Sequence, residues 1–304
     1  MVHTNDVVLL ENQGWDERIL VCGNGRLVQT FIIVSQRYLV LVDTLINAAT
    51  ARAMLDYARP HLAGRHLLVI NSHADYDHCW GNQLFAGPQA EQPAPIIATR
   101  ACREQFNRSD YLQEMQAAEP EIFGEVVLTP PTLIVDGRFT IEGGDLTLHL
   151  LPTPGHTPDH LAVYLPEINT LLAMDGAELP YPLARTAEAL PQMRTSLQQM
   201  ADLQAQTVLY CHAPVTIGPQ LLHDNIAYFD QIEAACRAAL DNGLRHIPQE
   251  DDKLLAEIGL PYETAVPAQD IWQNVHTYYH TQGHAQQIRA MLQALTLQNG
   301  IEIG

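Results

Sequence analysis

Short apolar, β-branched runs punctuate the first two-thirds of the chain, and longer segments of helical period fill the last third. Val28–Val34 and Tyr38–Asp43 have the composition of strands, with Ser35, Gln36 and Arg37 as the hairpin between them. Asn47 to Arg59 repeats its apolar side chains at helical spacing and stops before Pro60, which predicts a helix. Leu67–Ile70 is a short buried-type strand running straight into Asn71, Ser72 and His73. Residues 102–118 read as helix, and 132–135, 146–151, 161–165 and 170–174 as strands set apart by Gly and Pro. From about Pro219 the period changes, and 220–243, 250–259 and 268–298 are all helical in pattern. Strands mixed with helices, followed by helices alone, predict an α/β core with a helical extension. No internal repeat of solenoid length is present.

The ends of these apolar runs carry the candidate chemistry. After the third strand comes His73-Ala74-Asp75-Tyr76-Asp77-His78, four metal-binding side chains within six residues. In an extended loop, positions 73, 75 and 77 fall to one side and His78 turns to the other, so one loop can serve two neighbouring ions. Imidazole with carboxylate suits zinc, iron or manganese. Read alone, the same loop also fits a helix cap, with Asp75 or Asp77 at the N-cap. Three further strand ends weigh against that plain capping role. His156 sits in a Gly-Pro turn after the 146–151 run, Asp175 ends the 170–174 run, and His212 ends Val208–Cys211. Strand ends in α/β proteins are where ligand and catalytic groups gather.

Charge and composition then narrow the function classes. The 304 residues hold 16 Lys+Arg against 35 Asp+Glu, a net charge of −19. That balance argues against nucleic acid and against docking on anionic lipid. Lys253 is the sole lysine and follows Glu250, Asp251 and Asp252 rather than a glycine-rich loop, which excludes a P-loop and leaves Schiff-base chemistry little footing. The five cysteines, at 22, 79, 102, 211 and 236, include no CxxC pair and form no disulfide framework. Residues 1–20 show neither a basic leader nor a continuous apolar stretch, and no run reaches the roughly 18 apolar residues of a membrane span. A cytoplasmic protein with reduced thiols is expected.

The Asp43 strand end, the 73–78 loop, the His156 turn, Asp175 and His212, in that order, resemble the metallo-β-lactamase superfamily over about residues 19–215. The resemblance implies an α/β (α+β) fold, a four-layer αββα sandwich with a C-terminal helical extension. It divides the chain into a catalytic domain, 1–218, and a helical region, 219–304. It also implies two divalent ions, expected to be zinc, with iron or manganese as alternatives. By resemblance, His73, Asp75 and His156 hold one ion, Asp77, His78 and His212 the other, and Asp175 bridges them. The chain departs from the family's usual His-x-His-x-Asp-His loop by placing Asp75 where the second His stands.

The expected function is hydrolysis of a small-molecule ester, thioester, lactone or phosphoester by a metal-bound hydroxide, with Asp77 orienting the nucleophile or passing its proton to the leaving group. Two alternatives stand beside it: a diiron oxidoreductase of the same fold, since a flavin-linked diiron branch of the family also carries a carboxylate in this loop, and a non-catalytic metal-binding protein. The oligomeric state is left open, a homodimer included.

Several residues carry weaker signals. His160 is either a neighbour of the ligands or a capping residue, and Cys79 and Cys211 read as buried inert thiols. His276, His280 and His284 recur at i, i+4 and i+8, which on one helix makes a stripe that is either solvated or pocket-facing, or a third metal site. Tyr76, Trp80, Tyr181, Tyr278 and Tyr279 serve equally well as cleft or core aromatics.

Overall fold

The structure is a computed structural model that describes residues 3–88, 90–106, 109–213, 216–266 and 275–299. The chain forms two compact units. The first comprises Met1–Pro152, Asp159–Met174 and Ala205–Ile217, and the second Thr153–Pro158, Asp175–Gln204 and Gly218–Gly304.

The first unit contains both sheets. A seven-stranded sheet runs in sequence order through β1 (Val7–Leu9), β2 (Ile19–Asn24), β3 (Val28–Val34), β4 (Tyr38–Val42), β5 (His66–Ile70), β6 (Ile96–Thr99) and β7 (Leu133–Val135). Its pairs are antiparallel up to β4 and parallel beyond it. The second sheet has the order β12 (Thr207–Tyr210), β11 (Thr170–Met174), β10 (Leu161–Leu165), β9 (Thr147–Pro152) and β8 (Phe139–Glu142), with only β11 and β12 parallel. Nearly every residue of β3, β4 and β11 is buried, so these strands are covered on both faces. This is why their sequences are continuous apolar runs rather than alternating ones. Phe31, Ile33 and Val40 of one sheet share a single core cluster with Leu148, Val163 and Leu172 of the other. Each such side chain contributes about 1.5–3 kcal/mol on burial.

Helix α1 (Ala48–Ala58) begins where the spacing predicts. Asn47 accepts from the Thr50 N–H at 2.9 Å while the Asn47 N–H donates to the Thr50 hydroxyl at 3.2 Å, a reciprocal cap. Its buried face, Ala51, Met54, Leu55 and Ala58, follows the helical period. The expected helix over 102–118 is instead two: α3 (Arg100–Gln105) and, after the four-residue α2 (Tyr76–Cys79) met earlier in the chain, α4 (Ser109–Ala118). The Phe106 N–H turns back to Arg103 O, which ends α3 early. A short α5 (Pro120–Phe123) follows.

The second unit is helical: α6 (Ala189–Ala201), α7 (Gln220–Asp241), α8 (Asp251–Ile258), α9 (Tyr262–Ala265) and α10 (His284–Asn299). Along α7, Leu221, Asn225, Tyr228, Phe229, Ile232 and Cys236 are buried at spacings of three and four. Arg194 of α6 meets Asp230 at 2.6 Å and also pairs with Glu233, tying α6 to α7. The helix expected over 268–298 begins partly outside the described residues. Within them, Tyr279–Gly283 is a π-helical turn that leads into α10. A π turn accommodates an extra residue, so the i, i+4, i+8 spacing does not set His276, His280 and His284 in one stripe. His276 precedes the turn and its Nδ1 accepts from the Tyr278 N–H at 3.2 Å, His280 stacks on Tyr262 with ring centres 4.4 Å apart, and His284 is fully buried.

Candidate metal centre

In the first unit the segment that carries the candidate ligands hangs between β5 and α2 on a set of buried polar contacts. Asn71 and Asn82 exchange amide hydrogen bonds at 3.0 and 2.8 Å, closing the segment at its base. Asn82 also accepts from the Thr44 hydroxyl and donates to Thr129 O. The Ala74 N–H donates to Asp159 at 2.8 Å, and Leu161 N–H to Ser72 O at 2.9 Å, so β10 and the residues before it hold the loop's outer edge. Gly81 sits where a Cβ would lie 2.1 Å from Thr44 O, an approach that only glycine permits.

Asp43 lies beneath this loop, directly after β4, in the left-handed region at φ 68° and fully buried. Asp tolerates that conformation better than most residues. One carboxylate oxygen accepts from the Ser72 N–H at 2.7 Å, and the other from the Ser72 hydroxyl at 2.7 Å and from His78 Nδ1 at 2.8 Å. Because the Ser72 hydroxyl proton goes to Asp43, its oxygen receives the Nδ1–H of His73 at 2.9 Å. A single carboxylate thus fixes two imidazoles, His78 directly and His73 through Ser72, with the proton on Nδ1 and the lone pair on Nε2.

His212 is set in the same way by a different group, donating from Nδ1 to Leu27 O at 2.8 Å. The outcome is a convergence of electron pairs. Nε2 of His78 and Nε2 of His212 stand 3.4 Å apart, and Asp77 Oδ2 lies 3.5 Å from His212 and 3.8 Å from His78. Two imidazole lone pairs and a carboxylate turned toward one point make a donor set that could hold a transition-metal ion. Beside them, His73 Nε2 faces Asp75 Oδ2 at 3.5 Å. Asp75 takes the N-cap position of α2 but makes no side-chain capping bond to the helix.

The second unit brings together His156, Asp175 and a residue the sequence did not single out, Glu178. His156 Nε2 lies 3.7 Å from Asp175 Oδ2, and its Nδ1 lies 3.1 Å from Glu178 Oε1. Gly155 has φ +152° and runs so close to α6 that a Cβ would lie 2.4 Å from Met193 Cα. Ser196 of α6 donates to Pro154 O at 2.7 Å, so the backbone before His156 is held from the same side. Met174, which precedes Asp175, is in the left-handed region at φ 52°, a conformation that costs a long side chain free energy and recurs at functional sites.

His73, Asp75, Asp77, His78 and His212 therefore fall in the first unit, in two adjoining groups, and His156 and Asp175 are paired in the second. Glu178 escaped notice because nothing in Asp175-Gly176-Ala177-Glu178 separates a buried acid from a surface one. Asp159 and the orienting role of Asp43 escaped for a similar reason: each acts on residues dozens of positions away. His160 is buried, with its ring 5.3 Å from that of His73. The five cysteines are buried and in no disulfide, and burial pushes the Cys79 thiol well up. Trp80 is a core side chain that packs edge-on against Tyr76 and Phe123.

Comparison with known proteins bears on this arrangement. The sequence model of the metallo-beta-lactamase superfamily matches residues 23–212, more than half of the chain. The chain is 26% identical over 222 residues to a hydroxyacylglutathione hydrolase of Saccharophagus degradans, covering 71% of this chain and 69% of that one. It is 32% identical over 109 residues to a hydroxyacylglutathione hydrolase of Pseudomonas savastanoi pv. phaseolicola, covering 34% of this chain and 41% of the relative. Among solved structures, a stereoselective inverting sec-alkylsulfatase from Pseudomonas sp. superposes with a TM-score of 0.64 at 20% identity, over 91% of this chain and 49% of its own. This chain thus spans about half the length of that enzyme. A metallo-beta-lactamase family protein from Thermus thermophilus gives a TM-score of 0.60 at 18% identity, over 97% of this chain and 94% of that one.

Proposed function

The chain belongs to the metallo-beta-lactamase superfamily, with that family's αββα fold and a C-terminal helical region, and from that premise we propose that it is a metal-dependent hydrolase of a small-molecule ester, thioester, lactone or phosphoester. The observation that carries the proposal is the meeting of the His78 and His212 lone pairs with the Asp77 carboxylate, each imidazole locked by a bond on its far nitrogen. The similarity to hydroxyacylglutathione hydrolases supports hydrolysis and leaves the bond to be cleaved open. In this reading His73, Asp75, Asp77, His78, His156, Asp175 and His212 are the ligands of two divalent ions, with zinc the first choice. They all lie within a catalytic region of residues 1–218, and 219–304 form the helical region.

Bound ions supply an acidified water as nucleophile and a Lewis acid for the developing oxyanion. The protein's own part is to hold the Nε2 lone pairs in place, and Asp43 does this for His73 and His78. Asp77 orients the attacking water and carries its proton toward the leaving group. The Asp75 carboxylate beside His73 is a harder donor than the imidazole usual in the family, which favours iron or manganese at that position and keeps a diiron oxidoreductase as the second reading. In this reading the protein is cytoplasmic, with its five buried cysteines reduced. No described helix is long and apolar enough to cross a membrane.

Elemental analysis of the purified protein, together with a panel of chromogenic esters, thioesters and phosphodiesters, tests the proposal. We expect at least one transition-metal ion per chain and turnover of one substrate class. Full metal occupancy in the His78→Ala, His212→Ala double variant would sink it. Asp75→His should raise zinc content relative to iron and manganese; unchanged selectivity removes Asp75 from the ligand set.

A further inference from the structure

We propose that Asn24 is a positioning residue for His212, and that it acts through residues 3–6, which brace the turn that aims His212 against the helix that carries Asp77 and His78. The inference rests on the reading of Asp77, His78 and His212 as ligands of one ion, and it gives a role to a segment ahead of the family match at residues 23–212.

The brace starts from strand register. β1 pairs with β2 over three residues, Val7 opposite Asn24, Val8 opposite Gly23 and Leu9 opposite Cys22. The chain before Val7 therefore runs on past the last β1–β2 pair, alongside the turn between β2 and β3. Asn24 is fully buried, and its side-chain amide donates to Thr4 O at 2.7 Å and to Asp6 O at 2.8 Å. Its Oδ1 accepts no hydrogen bond from any described residue, so this side chain works as a donor alone. Gly25, in the left-handed region at φ 56°, passes so near the segment that a Cβ would lie 3.2 Å from the Thr4 methyl group. The turn closes with the Leu27 N–H donating to Asn24 O at 3.1 Å. Leu27 O in its turn receives the Nδ1–H of His212 at 2.8 Å. The carbonyl that sets this imidazole thus belongs to the turn that Asn24 ties to residues 4 and 6.

The other end of the segment reaches the helix of the candidate ligands. Asn5 Oδ1 accepts from Asn47, the cap of α1, at 2.7 Å. His3 Nδ1 lies 2.8 Å from Glu119 Oε1, and because a carboxylate only accepts, that nitrogen carries the proton. In the neutral ring Nε2 accepts from the Tyr76 hydroxyl at 3.1 Å. Tyr76 opens α2, directly before Asp77 and His78, and the His3 ring packs edge-on against it. Residues 3–6 therefore join both arms of the donor set. The span between those arms is narrow: Nε2 of His78 and Nε2 of His212 stand 3.4 Å apart. Two nitrogens bound to one tetrahedral ion at about 2.0–2.1 Å stand roughly 3.3–3.4 Å apart. A displacement of about 0.5 Å is enough to spoil such a match.

The test uses the full-length protein and zinc, with affinity measured by chelator competition. Asn24→Asp keeps the size of the side chain and replaces its donating nitrogen by an oxygen that faces two carbonyls. Zinc affinity should fall about 10-fold. In the metal-free protein with ¹⁵N-labelled histidines, the Nδ1–H signal of His212, assigned by its loss in His212→Asn, should exchange faster with water. In the His212→Asn background the same substitution should change affinity by less than about twofold. Tyr76→Phe keeps the ring packing and releases the brace from its other end. It should lower affinity about 2–5-fold, again where His212 is present, and add little to Asn24→Asp. Unchanged zinc affinity in a folded Asn24→Asp protein overturns the proposal, as does an equal loss with and without His212. Additive losses in the Asn24→Asp, Tyr76→Phe double variant remove residues 3–6 from it. Should Asn24→Asp fail to fold, Tyr76→Phe decides by the same comparison. Zinc binding unaffected by His212→Asn in the parent protein would instead refute the ligand reading itself.

Discussion

The candidate ligands of the first unit and those of the second are surrounded by different kinds of structure. In the first, Asp43, Ser72 and Leu27 do the orienting, and they sit at strand ends or in the turn between neighbouring strands. Sheet register places them, so the imidazoles are aimed as a by-product of strand pairing. In the second, His156 lies beside Glu178 and Arg185, and the loop that carries both is held by buried amides from helices. Asn225 of α7 accepts from the Glu178 N–H at 3.0 Å and donates to Glu178 O and Pro180 O at 2.9 Å each. Gln287 of α10 exchanges hydrogen bonds with the backbone of Ala184. The lesson is that backbone pairing can aim a ligand cheaply and rigidly, whereas side chains reaching from distant helices aim one adjustably.

Three measurements would break or sharpen that contrast. Asp43→Asn should have the largest effect. An amide at 43 presents an N–H to His78 Nδ1 and drives that ring into the opposite tautomer, with the proton on the metal-facing nitrogen. Forcing a buried histidine into its wrong tautomer costs on the order of 10⁴ in activity, and elemental analysis should show the metal lost as well. Retained metal in a folded Asp43→Asn protein would mean that strand register alone aims the ring. Asn225→Leu ranks second. It strands one donor and two acceptors of the 178–180 backbone, at about 1–3 kcal/mol each. The thermal midpoint should drop, and zinc binding that depends on His156 should weaken while binding that depends on His78 and His212 persists. Equal losses at both would show the two groups to be coupled.

The smallest effect concerns pH. Burial lowers the His284 pKa below its ordinary 6.5, because the charged form has no water around it. Its contribution to stability is therefore complete above pH 6.5 and declines as pH falls below that value, since the unfolded chain takes up the proton first. The second unit should soften in mild acid, and His284→Gln should flatten the fall in thermal midpoint. An equal acid slope in that variant would assign the softening to another group.

These contrasts also explain what could be read from the chain itself. Val28–Val34, Leu161–Leu165 and Thr170–Met174 were legible to the residue because strands buried on both faces must be apolar throughout. Val7–Leu9, Ile96–Thr99 and Phe139–Glu142 were not, being three or four residues long and too short to show a period. Ile19–Asn24 passed unnoticed as well, with Gly23 and Asn24 diluting its apolar run. The candidate ligands at 73–78 declared themselves because four fall within six residues, although the last two stand on α2 and not in the extended loop expected. Glu178 did not, and nothing tied Tyr279 to it, because a hydrogen bond between residues 101 positions apart leaves no local mark. The histidines at 276, 280 and 284 misled for the converse reason: a regular spacing was present, and the π-helical turn broke the geometry that spacing assumes.

The reciprocal amide pair between Asn71 and Asn82 has a bearing on how such a protein can change. It turns the intervening stretch into a cassette, clamped at its root, whose contents are exchanged without disturbing the clamp. A lineage, or a designer, can swap an imidazole for a carboxylate at position 75 and inherit a scaffold still competent to fold. Replacing either asparagine would leave the other's buried amide without its partner, so the clamp is lost from both ends at once.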